Sequence, residues 1–280
     1  MTERFLAARP RLLRLAYSQL GDLAEAEDVV QEAWLRLERA GPETIDDLDA
    51  WLTTTVARLA LDVLRSARAR RVEYVGPWLP EPVVGGGPDP ADRVTLDESV
   101  SYALLTVLEQ LTPAERTAFV LHDVFDVAFP EVAEIVGRSP DSVRQLASRA
   151  RRHVVAERPR RPVSPAEHRR LVEAFARASE EGDVEQLLEL LDPDVTFTAD
   201  GGGRAIAARK PLRGGLRVAR AWAAIQRRDT QARLSVVDVN GAAGLLIEDA
   251  SGPTLLSFTV DGGRIVRVDV LRNPAKLRGL

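Results

Sequence analysis

Apolar residues recur every three to four positions through residues 10–71, a spacing that predicts three helices. The first runs over 10–20. Pro10 sits at its first position, where a missing N–H costs nothing, and Gly21 stops it. The second covers 22–38, with Leu23, Ala26, Val29, Val30, Ala33, Trp34 and Leu37 in one stripe. Asp22, Glu25, Glu27 and Asp28 crowd its N-terminal half, where the helix dipole favours anions. Gly41-Pro42 breaks the chain. A third helix over 49–71 turns Trp51, Leu52, Val56, Leu59, Ala60, Val63 and Leu64 inward. Its far side carries Thr53, Thr54, Arg58, Arg65, Arg68, Arg70 and Arg71.

Residues 73–91 hold five prolines and the run Gly85-Gly86-Gly87, so they read as a linker. Tyr74, Val75, Trp78, Leu79 and Val83 are too apolar for a solvated linker, which predicts that it docks on a protein surface. The helical pattern returns over 92–157. Leu104, Leu105, Leu108 and Leu111 form a face, and Thr112-Pro113-Ala114-Glu115 has the form of a capping box. Helices over 129–136 and 140–153 flank Gly137-Arg138-Ser139. The glycine supplies positive φ there, and the serine supplies an N-cap. An Arg- and Pro-rich hinge covers 158–165. Beyond it, helices over 167–181, 184–191 and 211–224 accompany strand-like runs at 195–198, 232–239, 244–248, 255–260 and 265–271. The pattern predicts two all-α domains, 1–72 and 92–157, followed by an α+β domain over 166–280 built on an antiparallel meander.

Composition narrows the chemistry. With 280 residues, 45% hydrophobic and 29% charged, the chain can bury several cores. It has no cysteine, hence no disulfide, no thiol nucleophile and no Cys-bound metal. No apolar run is long enough to span a membrane, and the N-terminus does not read as a signal peptide, which fits a cytoplasmic protein. The net charge of −4 conceals a reversal. Residues 91–134 carry nine acids against two arginines, whereas 135–161 carry eight arginines against Asp141 and Glu157. The second stretch therefore suits an anionic partner. Its helix, 140–153, projects Ser142, Val143, Gln145, Ser148, Arg149 and Arg152 outward, and with Arg144 these polar and basic side chains suit base edges and phosphates in a major groove. An ordinary helical hairpin with a solvated basic face accounts for the same residues less completely. None of the three histidines falls on a predicted strand, so acid–base chemistry in the α+β domain would rest on carboxylates such as Asp200.

Taken together, these segments resemble the extracytoplasmic-function sigma factors of bacterial RNA polymerase. Residues 28–37, Asp-Val-Val-Gln-Glu-Ala-Trp-Leu-Arg-Leu, are similar to the helix with which that family binds core polymerase. Residues 50–65 are similar to its −10 recognition helix. The run 111–116 and the helix–turn–helix ending at Arg152 are similar to its −35-binding domain. A subgroup carries a C-terminal SnoaL-like domain, a cone-shaped α+β fold with an apolar pocket. Its motifs stand here as Trp78-Leu79-Pro80-Glu81-Pro82, Asp200-Gly201-Gly202-Gly203 and Asn273-Pro274-Ala275-Lys276-Leu277. Ala275 replaces the family's aspartate and removes a charge. Arg58 stands where asparagine is common.

The resemblance implies an alternative sigma factor without cofactor or metal and without enzymatic activity. Asp28, Gln31 and Glu32 would meet core polymerase; Arg58 and Arg65 would meet the −10 element; helix 140–153 would meet the −35 element. The three motifs imply an interdomain, regulatory set, in which the linker docks on the C-terminal domain near Asp200–Gly203. An unidentified small ligand could occupy that domain's pocket. A ligand-responsive DNA-binding regulator leaves residues 22–71 without a purpose. A SnoaL-type enzyme with an appended DNA-binding module would require a ligand on a buried carboxylate.

Overall fold

The computed structural model describes residues 2–71, 74–85, 100–226 and 232–277, which fall into two compact units. One holds the helices of residues 2–71 and 100–157; the other holds the linker residues 74–85 together with 158–277.

The first unit opens with α1 (Thr2–Leu20), α2 (Leu23–Ala40) and α3 (Leu48–Arg71), which pack against one another. Asp22 caps α2 by accepting from the Glu25 amide at 2.9 Å, and Ala26, Val29, Val30, Ala33 and Leu37 are buried. Two expectations need correction here. Helix α1 begins at Thr2, with Pro10 in its interior. Phe5, Ala8, Leu12 and Leu13 are buried along it, and their burial offsets the hydrogen bond that the proline forfeits. Thr53 is also buried rather than outward-facing. Its hydroxyl donates to the Asp49 carbonyl at 2.6 Å and accepts from Arg11 of α1 at 2.8 Å.

The unit continues with α4 (Tyr102–Leu108), α5 (Pro113–Phe119), α6 (Phe129–Val136) and α7 (Pro140–Glu157). Thr112 and Glu115 form the expected capping box at the start of α5. A π-helical turn, Val120–Val124, follows α5. Gly137 adopts the left-handed conformation, φ 73°, that carries the chain between α6 and α7. Val143, expected to face outward, is fully buried, because its spacing with Leu146, Ala147, Ala150 and Val154 places it in the apolar seam of α7. Arg116 of α5 is only 3% exposed and links the two halves of the unit. Its guanidinium donates to the Gln19 carbonyl (2.9 Å), the Leu108 carbonyl (2.9 Å) and Glu109 (2.8 Å).

In the second unit, α8 (Pro165–Glu181), α9 (Val184–Leu190) and α10 (Gly215–Gln226) cover one six-stranded sheet. Its strands are β1 (Leu191–Asp200), β2 (Leu212–Arg213), β3 (Arg233–Val239), β4 (Ala242–Asp249), β5 (Gly252–Asp261) and β6 (Arg264–Leu271), in the order β2-β1-β6-β5-β4-β3. The meander β3 to β6 is antiparallel, and the tight turns Asn240-Gly241 and Gly262-Gly263 have the positive φ values of two-residue hairpins. The sheet is mixed, however, because β1 returns beside β6 in parallel, Phe197 opposite Val268. Residues 212–213 form edge strand β2 instead of helix, so α10 begins later than its apolar spacing suggested. The hinge expected over 158–165 is partly pinned: the Arg161 amide donates to Asp261 at 2.6 Å, and Ser164 starts the capping box of α8. Val172, Phe175, Trp222 and Phe258 lie at the centre of this core, and the Trp222 indole N–H donates to Ser179 at 2.8 Å.

Candidate nucleic-acid interface and linker site

Because its apolar seam faces inward, α7 presents Arg144, Gln145, Ser148, Arg149 and Arg152 outward, with Ser142 half-buried at its start. Two of these arginines are held by protein acids. Arg144 pairs with Asp141, and Arg149 donates to Glu115 of α5 at 2.9 Å. Burial alone would raise the Glu115 carboxyl, but hydrogen bonds from Arg149 and Thr112 outweigh it and hold that carboxyl below the usual carboxylate range. Arg152 forms no ion pair among the described residues. A preorganised arginine beside free donors on one helix face suits phosphate and base-edge contacts.

On α2, Asp28 and Gln31 are exposed and Glu32 is half-buried. Glu32 accepts from Arg36 at 2.8 Å, and this hydrogen bond is the main reason its carboxyl is lowered. On α3, Arg58 and Arg65 are seven residues apart on one exposed face, Arg65 lying 3.4 Å from Asp62. The side chains of Arg68, Arg70 and Arg71 lie outside the described residues, as do linker residues 86–91.

The linker residues 74–85 dock on the α+β unit, on the loop named from sequence. Asp200 ends β1, fully buried, and gathers four donors. Its Oδ1 accepts from the Tyr74 hydroxyl and from the Gly202 amide at 2.9 Å; its Oδ2 accepts from the Leu79 amide at 3.0 Å and from Lys276 Nζ at 2.8 Å. The Lys276 ammonium also donates to the Leu79 carbonyl and lies 3.2 Å from the centre of the Trp78 ring. Asn273 donates to the Tyr74 hydroxyl at 2.9 Å. Gly202 has φ 62°, and a Cβ there would meet Asn273 at about 2.5 Å; a Cβ on Gly203 would meet Val75 at about 3.3 Å. Those glycines therefore serve close approach. Farther along, Leu79, Pro80, Pro82 and Val83 are buried, Glu81 is half-buried, and Val83 exchanges two backbone-directed bonds with Asn240. The tail closes this site through buried Leu277, with Pro274 exposed. Ala275 contributes only its amide, to Asn273 Oδ1 at 3.0 Å, so the missing aspartate leaves the Lys276–Asp200 pair intact.

The sequence profiles "Sigma-70 region 2" and "Sigma-70, region 4" match residues 5–70 and 101–154. The ECF RNA polymerase sigma factor SigJ of Mycobacterium tuberculosis is 41% identical over 98% of this chain and 92% of its own length. The chain belongs to the ECF RNA polymerase sigma factors. The probable ECF sigma factor SigI of the same organism is 37% identical over 97% of the chain and 92% of its own length. The crystal structure of M. tuberculosis SigJ superposes with a TM-score of 0.83 at 39% identity, covering 100% of this chain and 99% of that one. This sigma factor thus carries regions 2 and 4 in its helical unit and a SnoaL-like α+β domain after them.

Three features of the sigma factor escaped the sequence reading. Leu35 lies seven residues from Asp28 on the polar face of α2 and is 38% exposed. Its place outside the apolar stripe was the available signal. The pairing of Arg149 with Glu115 joins residues 34 apart and had no local signal. A second buried acid, Asp269 on β6, sits among Arg267 and Thr198, and burial raises its carboxyl despite those partners. No cluster of three His, Asp or Glu suited to a metal occurs among the described residues. No described helix is long and apolar enough to cross a membrane.

Proposed function

We propose that this sigma factor binds core RNA polymerase, in the cytoplasm, through the α2 face formed by Asp28, Gln31, Glu32 and Leu35. An acidic rim around one exposed leucine suits a basic, partly apolar partner helix. Arg58 and Arg65 face the −10 element, and Ser142, Arg144, Gln145, Ser148, Arg149 and Arg152 face the −35 element. The polymerase performs the chemistry. The α+β domain holds the linker and through it sets how readily the two DNA-reading regions engage a promoter; a small ligand in its cavity is the candidate effector. We assign it no catalytic role, since the Asp200 carboxylate is engaged by Tyr74 and Leu79 of the linker, by Gly202 and by Lys276, and the His168 ring lies against the Phe258 carbonyl at 3.0 Å.

The observation that carries this reading is the outward face of α7, where Arg144, Arg149 and Arg152 stand over a buried apolar seam. Purified core polymerase, the full chain and a promoter template test it in run-off transcription. Transcripts should start at one site only when the chain is present, and Arg149→Ala with Arg152→Ala should lower their yield at least tenfold at low salt, the fold-loss narrowing as salt rises because the variant releases fewer counterions. Yield independent of both arginines would reject α7 as the reading helix.

A further inference from the structure

Between α10 and the sheet lies a cavity of about 90 Å³, walled mainly by Phe197, Ala208, Trp222 and Val270. Its rim is apolar and open: Ile206 is 83% exposed and Ile225 44%. An apolar-walled cavity of this order accepts a small apolar group, and such a guest would cover the rim. One end is polar. Arg272, Thr254 and Asp249 meet there; the Arg272 Nε donates to Thr254 at 3.1 Å and its Nη1 to the Ile206 carbonyl at 2.9 Å. The Arg272 guanidinium and the Asp249 carboxylate line this end without an ion pair between them, and the Asp249 Oδ1 accepts from the Ser251 amide at 2.7 Å. A carboxylate head would meet the like charge of Asp249 and an ammonium head that of Arg272, whereas a neutral amide offers an acceptor to the arginine and a donor to the aspartate.

The same arginine reaches the linker site. Its backbone amide donates to the Asp200 carbonyl at 2.8 Å. The loop 201–209 between them has two sides: Ile206, Ala207 and Ala208 wall the cavity, while Gly203 and Arg209 back onto Val75 and Gly76 of the linker. We propose that this cavity binds a small molecule with an apolar ring or short chain and an uncharged amide-like head, and that its binding is felt by the linker through Arg272 and the 201–209 loop. The site deepens the regulatory reading above and rests on it for its consequence, but not for its detection. A head group that takes up the Arg272 Nη1 donor competes with the Ile206 carbonyl. It thereby loosens the loop that backs the linker.

The probes are three near-isosteres: phenylacetamide, phenylacetate and phenethylammonium. The full chain labelled with ¹⁵N at tryptophan gives four indole signals, from Trp34, Trp51, Trp78 and Trp222, assigned by single Trp→Phe substitutions. Phenylacetamide at millimolar concentration should move the Trp222 and Trp78 signals and leave Trp34 and Trp51 in place. Half-saturation should come at a concentration at least tenfold lower than for either charged probe. Ala221→Leu, or Ala208→Leu should the first variant fold poorly, should abolish the shifts by filling the cavity. An unmoved Trp222 signal, or equal shifts in the filled variant, overturns the site. Equal affinity for the three probes overturns the head-group assignment. A moving Trp222 beside a still Trp78 overturns the coupling. None of these readouts involves transcription, so failure of the regulatory reading would leave the binding result standing.

Discussion

Removing the Lys276 ammonium tests how firmly the linker is held. In Lys276→Met the buried Asp200 carboxylate keeps three neutral donors, Tyr74, Leu79 and Gly202, but loses the counter-charge that Lys276 supplies. Breaking a buried pair from one side costs about 3–5 kcal/mol. The remaining donors and the apolar contacts of the methionine with Trp78 favour the lower end, about 3 kcal/mol. At about 1.4 kcal/mol per tenfold, the open population of the linker should rise about 100-fold. Hydrogen exchange reads this directly, because the Leu79, Val83 and Gly85 amides each bond to the α+β domain, to Asp200, Asn240 and Asp238 respectively. Their exchange should accelerate by about that factor, while amides of α5 to α7 stay unchanged. Asp200→Asn should have a comparable effect. The double variant should lose at least about 2 kcal/mol less than the sum of the two, since neither charge is then left alone. Additive losses, or unaltered exchange at Leu79 in Lys276→Met, would refute the pair as the element that holds the linker.

Gly202→Ala should free the same linker amides and destabilise the α+β domain by about 1–3 kcal/mol, through its positive φ and the clash with Asn273, as thermal unfolding will show. Asp28→Arg with Glu32→Arg, or Leu35→Glu alone, should abolish co-purification with core polymerase while circular dichroism shows unchanged helicity. Asp269→Asn should remove a pH slope. Folding raises this carboxyl above its ordinary 3.8, so the native state holds the proton more tightly and stability falls as pH rises through that window. The difference between wild type and variant in urea unfolding should therefore shrink from pH 4 upward. A constant difference would place Asp269 outside the titrating set.

The elements that were legible in the sequence are those whose causes are local. Gly137 and Ser139 mark the helix–turn–helix within a few residues of one another, although Val143, read as outward-facing, lies in the buried seam. The α2 stripe, the capping box of Thr112 and Glu115 and the Gly262-Gly263 turn are of the same kind. The docking of the linker was inferable because Tyr74, Trp78 and Leu79 are costly to expose. What remained hidden depends on distant partners. Pro10 looked like a helix start until Phe5 packed against Trp34, ring centres 4.7 Å apart, and drew the first turns of α1 into the fold. Thr53 reads as a polar outward residue without Arg11 beside it. The parallel pairing of β1 with β6 joins segments about 70 residues apart and leaves no local trace. Nor does the sharing of Arg272 between the cavity and Asp200.

The linker's hold on the α+β domain is most directly tested by initiation itself. Twelve described linker residues lie along that domain, and freed they could extend by up to about 40 Å, enough to change what regions 2 and 4 reach together. Run-off transcription with purified core polymerase should compare wild type with Asp200→Asn/Lys276→Met, which removes both buried charges together. A rate at least threefold higher from an unchanged start site is the predicted result; an equal rate, or a start site that moves, would contradict it.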